Sequence, residues 1–241
     1  MAEKPVTRQD WREKIYERAH WKLLRELRAK ARKLMDVLES EGLIPSIHGS
    51  VVRGDVDKDS DIDVILESVV PSYKVELGLT GHGYEISSRR IVQATPSHSP
   101  KAHIYLDPEE LLAVTFPLIP FRTLEWEFYK FGGLLNLPQL RDDLRVPGAT
   151  KRLTLIEPTP TGHMESAIAG RESEVAKILN VHIEIVHERI RVLKRRDRIG
   201  RTGVFLSHQL DAQEQFEAAF RGLLKSRPEI RRRQRMKKET R

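Results

Sequence analysis

Residues 48–66 read HGSVVRGDVDKDSDIDVIL, and they concentrate the side chains whose types and spacing suit chemistry on phosphates. Asp61 and Asp63 are separated by one residue and lead into Val64, Ile65 and Leu66, a run that reads as a strand. Side chains alternate along a strand, so both carboxylates project from one face while Ile62 and Val64 point to the other. Two carboxylates side by side on a rigid element ionise together cheaply only when a cation lies between them. Mg²⁺ suits such a pair, because it takes hard oxygen ligands, keeps several waters and accepts phosphate oxygens for the rest. Upstream, Gly49 lets the backbone approach a phosphate, Ser50 offers a hydroxyl and an N–H, and Arg53 adds a charge-assisted contact. Asp55, Asp57 and Asp59 stand among Gly54, Lys58 and Ser60 and read as solvated turn residues. The constellation is equipped for nucleotide chemistry, in which Mg²⁺ neutralises charge and aligns an attacking oxygen with the α-phosphorus.

The elements that must hold these residues are legible on both sides. Residues 7–41 read as one long helix, with Tyr16, Leu23, Leu27, Ala31, Leu34 and Leu38 at three- and four-residue steps and Gly42 as its C-cap. Trp11 and Trp21 belong to its packing face. A short strand over 43–48 precedes the Gly-Ser turn, and a second over 62–66 follows it. Pro71 opens a short helix, residues 89–94 and 102–106 read as strands, and 109–118 and 123–131 read as helices. Together they predict an α+β fold: a small mixed sheet backed by helices over residues 7–145. Residues 146–170 read as a linker containing one strand at 151–156. In it, His163 and Glu165 read as a polar pair held by a loop hydrogen bond.

Composition bounds the rest. The 241 residues are 39% hydrophobic and 32% charged, with a net charge of +7 and no cysteine, which excludes disulfides and thiolate metal sites. The charge favours a polyanionic partner, and the abundance of Glu, Lys and Arg suits a heat-tolerant protein. No apolar run of spanning length occurs, and the expected location is cytoplasmic.

Gly49-Ser50, Arg53-Gly54 and Ser60-Asp61-Ile62-Asp63 together resemble the signature of the DNA polymerase β-type nucleotidyltransferase superfamily, over residues 20–110. The wider chain resembles a group of archaeal predicted nucleotidyltransferases. The resemblance implies an NTP substrate, Mg²⁺ as cofactor, Asp61 and Asp63 as metal ligands, and Gly49 and Ser50 as the triphosphate cradle. It also implies a further acid on a neighbouring strand. Residues 89–94 offer none. Asp107, sharing strand parity with His103 and Tyr105, is the candidate, and Glu85 and Glu76 are more distant ones. Asp107-Pro108 reads equally as a helix N-cap followed by Pro at the first position.

Residues 171–227 change character. Val175, Ile178 and Leu179 form one apolar face, Asn180 suits a tight left-handed turn, and Val186, Ile190 and Leu193 form the next face. Helix, turn and helix resemble a helix-turn-helix, and residues 197–206 resemble the hairpin wing of a winged-helix-like domain. Arg189, Arg191, Lys194, Arg195, Arg196, Arg198 and Arg201 form a phosphate-contacting footprint for DNA or RNA. Residues 228–241 read as a basic disordered tail. The activity expected is transfer of a nucleoside monophosphate from an NTP to a hydroxyl of a nucleic acid or a protein, with release of pyrophosphate. The alternative is a DNA-binding regulator with an inactive or nucleotide-sensing transferase domain.

Overall fold

The computed structural model describes residues 11–200 and 203–230. Strand β1 (Arg12–Ile15) precedes helix α1 (Arg18–Ser40), which buries Leu24, Ala31, Leu34, Met35 and Leu38 at helical spacing. The long helix expected over 7–41 therefore starts at Arg18, and the part of that expectation over residues 7–10 lies outside the described residues. The chain before it is extended because the strand Gly162–Ala167 offers a free edge for pairing. Its register brings Ile15 opposite Gly162, where an added Cβ would lie 1.8 Å from Lys14 O, so only glycine permits the approach.

The main sheet begins with β2 (Pro45–His48), followed by the single turn α2 (Ser50–Arg53), β3 (Ile62–Leu66) and α3 (Ser72–Gly81). It continues with β4 (Ser88–Gln93), β5 (Lys101–Tyr105) and β6 (Leu112–Pro117), then α4 (Thr123–Phe131), β7 (Leu134–Asn136) and α5 (Leu137–Arg141). The helix expected over 109–118 is thus strand β6. It pairs parallel with β3 on one side and antiparallel with β5 on the other, and this double pairing outweighs a helical pattern that Pro117 could not have continued.

Residues 146–170 form structure rather than a linker. Strands β8 (Gly148–Ala149), β9 (Thr154–Thr159) and β10 (Gly162–Ala167) join β1 in a four-stranded sheet ordered β1-β10-β9-β8. Helices α6 (Glu172–Leu179) and α7 (Ile183–Ile199) pack on it, and Phe131, Leu153, Leu155, Ile168, Val175, Ile185, Val186 and Leu193 share one core.

In place of the hairpin wing expected after α7, the chain returns to the main sheet. Strand β11 (Leu206–Gln209) pairs antiparallel with β4, completing a seven-stranded sheet ordered β11-β4-β5-β6-β3-β2-β7. Helix α8 (Phe216–Ser226) buries Phe216, Ala219, Phe220 and Leu223 in the main core, with Phe216 edge-on to Phe116 of β6 at 5.7 Å. The boundary expected at 171 therefore does not separate the end of the chain from its beginning: β11 had an unpaired sheet edge to cover and α8 an apolar face to bury. Most of the expected basic tail, residues 231–241, lies outside the described residues.

Candidate functional site

The β2–turn–β3 unit builds the site from local geometry. Gly49 adopts φ 94° and ψ −152°, a conformation costly for any side chain, and the space where a Cβ would stand is open. Its N–H donates to Gly133 O at 3.1 Å, which fixes the bend against the end of α4. Ser50 Oγ lies 3.2 Å from Ser60 Oγ and ties the turn to the residue before Asp61. Asp57 Oδ1 accepts from Asp59 N–H and from Ser60 Oγ, closing the intervening loop on itself.

Antiparallel register sets His48 directly opposite Asp63. His48 Nε2 meets Asp63 Oδ2 at 3.1 Å, and Thr115 Oγ1, from β6, donates to Asp63 Oδ1 at 2.7 Å. Thr115 has one proton and gives it to the carboxylate, so His103 Nδ1, 3.0 Å away on β5, must carry a proton and donate to Thr115. His103 Nε2 is then a bare nitrogen, buried and without a hydrogen-bond partner. Burial, followed by the Lys101 charge, pulls the His103 ring down to about 4, which keeps it neutral. For Asp63, burial pushes its pKa upward. The His48 hydrogen bond, the electrostatic pull of His48 and His103 and the Thr115 hydrogen bond outweigh that and hold it at about 2.

A second ring of residues braces this chain. Lys101 Nζ donates to Tyr129 Oη at 2.9 Å, and the Tyr129 ring stands edge-on to His48 at 4.8 Å. Helix α4 thereby holds the imidazole that holds Asp63. Asp61, immediately before β3, is exposed, whereas Asp63 is half-buried.

Other expected site residues stand elsewhere. Arg53 is buried; its guanidinium forks onto both Asp55 oxygens at 2.9 Å and also donates to Gly132 O. It is committed to clamping the loop, so its geometry does not support the expected phosphate contact, and Asp55 is its partner rather than a solvated turn residue. Asp107 heads no helix. Its Oδ1 accepts from Leu111 N–H at 2.7 Å and closes the turn that feeds β6. Glu76 pairs with Arg89 of β4. Among the described residues no three or more of His, Asp and Glu gather as a metal group. The donor set offers hard carboxylate oxygens to one cation: Asp61 is unencumbered in the open, and each Asp63 oxygen retains a lone pair.

Of the expected nucleic-acid footprint, Arg191, Lys194, Arg195, Arg196 and Arg198 lie on α7 and all five are exposed. Arg189 is turned inward, its guanidinium 4.9 Å from the Phe128 ring of α4, and Arg201 lies outside the described residues. His182, at the head of α7, bonds to Glu127 of α4 through both its backbone N–H and its ring. His163 is on strand β10, not in a loop; it takes Tyr16 Oη on one ring nitrogen and Glu165 on the other.

Sequence reading gave no role to Thr115, Lys101 or Tyr129. Thr115 sat in a segment read as helix. The signal that would have found it is the β-branched Val114-Thr115 pair before Phe116-Pro117.

Residues 46–147 match the family model described as nucleotidyltransferase domain. That segment, less than half of the chain, includes the Gly-Ser turn, both aspartates and the strands that flank them, and the match supports placing it in the nucleotidyltransferase superfamily. A solved structure of a CCA-adding enzyme in complex with ATP is similar over 92% of this chain and 51% of its own, at 15% identity and a TM-score of 0.31. The chain spans about half the length of that structure, and a likeness that loose carries no weight for fold or chemistry. Comparison with curated proteins gives no match.

Proposed function

We propose that the segment around the Gly-Ser turn binds a nucleoside triphosphate with Mg²⁺ and transfers its nucleoside monophosphate to a hydroxyl, releasing pyrophosphate. The observation that carries this reading is the union of the two halves of the motif. The open bend at Gly49 is tied through Ser50 and Ser60 to the strand bearing Asp61 and Asp63, inside the segment that matches the family. Gly49 and Ser50 receive the triphosphate, and Asp61 and Asp63 hold the cation. When bound, that cation neutralises phosphate charge and aligns the reacting oxygens. Thr115 and His48 fix the Asp63 carboxylate in one orientation, and its depressed pKa keeps it an acceptor at neutral pH. The acceptor is a nucleic acid held by the exposed basic residues of α7, with a protein hydroxyl as the other class to assay.

The test is NTP binding with Mg²⁺, followed by transfer of the α-labelled phosphate to candidate acceptors. Asp61→Asn should weaken Mg²⁺-dependent NTP binding at least tenfold while changing stability by no more than about 0.5 kcal/mol, because its side chain is exposed. Asp63→Asn should lose both binding and stability. Unchanged NTP affinity in the doubly substituted chain would sink the proposal. A second reading is favoured by one observation, that no third carboxylate stands beside Asp63 among the described residues: a DNA-binding regulator whose transferase domain senses nucleotide. Salt-dependent DNA binding without turnover of any NTP would select it.

A further inference from the structure

The strands flanking Asp63 bring no further acid to it. On one side β2 presents His48; on the other β6 presents Thr115, and β5 beyond it carries Lys101, His103 and Tyr105 at alternating positions. Of the acids that precede β6, Glu110 and Asp107 are engaged elsewhere. Glu110 forks with Arg90 at 2.7 and 3.1 Å, and Asp107 closes its own turn. The side of Asp63 Oδ1 that faces β6 already holds a hydroxyl donor at 2.7 Å.

We propose that this site takes a single divalent cation, carried in with the triphosphate and gripped by Asp61 and Asp63, and that Thr115 is the residue that limits it to one. This rests on the nucleotide-binding reading above. The reason is the supply of anionic ligands. Two-cation sites need anionic ligands enough to offset two double charges and to bridge them at about 3.5–4 Å. Here the turn and β3 supply two carboxylates, and the Thr115 hydroxyl already takes one side of Asp63 Oδ1 at 2.7 Å. Threonine at 115 satisfies Asp63 as a neutral donor. A carboxylate in its place would repel Asp63 and call for a second ion. With one cation, an acceptor hydroxyl gains no metal of its own to lower its pKa, so the bound triphosphate is long-lived.

Manganese titration of the full chain with a non-hydrolysable NTP analogue, followed by the EPR signal of free Mn²⁺, reads the stoichiometry directly. The unaltered chain and Thr115→Ser should each bind one ion per chain with the analogue, and Thr115→Asp should bind two. Two ions in the unaltered chain would overturn the inference while leaving the nucleotide reading intact. So would a Thr115→Asp chain with native circular dichroism that still binds one. Failure of the unaltered chain to bind the analogue at any Mn²⁺ concentration removes the nucleotide reading itself, and this inference with it.

Discussion

Asp63 is the residue on which the site converges, and its neighbours decide how it behaves. Three groups in series, His103, Thr115 and Asp63, share protons in one direction, and His48 closes the chain from the other strand. Because His103 is held neutral, its folded pKa of about 4 lies below the 6.5 of a free imidazole. The unfolded chain therefore takes up a proton that the folded chain refuses as pH falls from 6.5 to 4. The contribution is complete above 6.5 and is lost through that window, at most about 3 kcal/mol. Chemical denaturation of the unaltered chain at about pH 7, 5.5 and 4 should show the loss. His103→Gln, which has no such titration, should show a smaller decline. Equal declines would mean that the imidazole does not sense its burial as described.

At the scale of elements, the support of the site comes from pieces far apart in the chain. Helix α4 reaches His48 through Tyr129 and receives α7 through Glu127 and Phe128. On the other flank, β1 closes the small sheet only because Gly162 has no side chain. Gly162→Ala forces a Cβ into the Lys14 carbonyl, so it should detach β1 or strain β10 at a cost of about 1–3 kcal/mol. A fall in Tm, with faster amide exchange over Arg12–Ile15 than over β9, would show this. The buried Tyr16–His163–Glu165 contacts would loosen with it, since Tyr16 follows β1 directly.

For the whole molecule, the decisive matter is where the +7 net charge sits. The exposed cations of α7, to which the proposal assigns the nucleic acid, lie on an element that touches α4, and α4 reaches His48 through Tyr129. Removing one phosphate-binding cation lowers the salt dependence of binding by roughly one unit of slope. Lys194→Ala, Arg195→Ala and Arg198→Ala together should therefore flatten log K against log salt by about 2–3. Arg189→Ala should instead lower stability and leave the slope nearly unchanged, because its guanidinium packs over Phe128. Slopes measured by fluorescence anisotropy between about 50 and 200 mM salt separate the two outcomes.

The motif itself was written in the sequence, because its logic is local. Alternation along five residues of strand, a bend that needs glycine and a hydroxyl beside it require no knowledge of distant residues, and the helices at 72–81 and 123–131 announced themselves by Pro71 and by Gly132-Gly133. What only the tertiary structure decided was the surroundings of Asp63. Thr115, His103 and Lys101 come from strands whose order in the sheet is not their order in the chain, and a parallel pairing with β3 turned a segment with helical spacing into β6. The same holds for β1 and β11, which are extended because a free sheet edge awaited them. Hydrogen bonds across strands are chosen by register between distant segments, and periodicity within one segment carries no information about register.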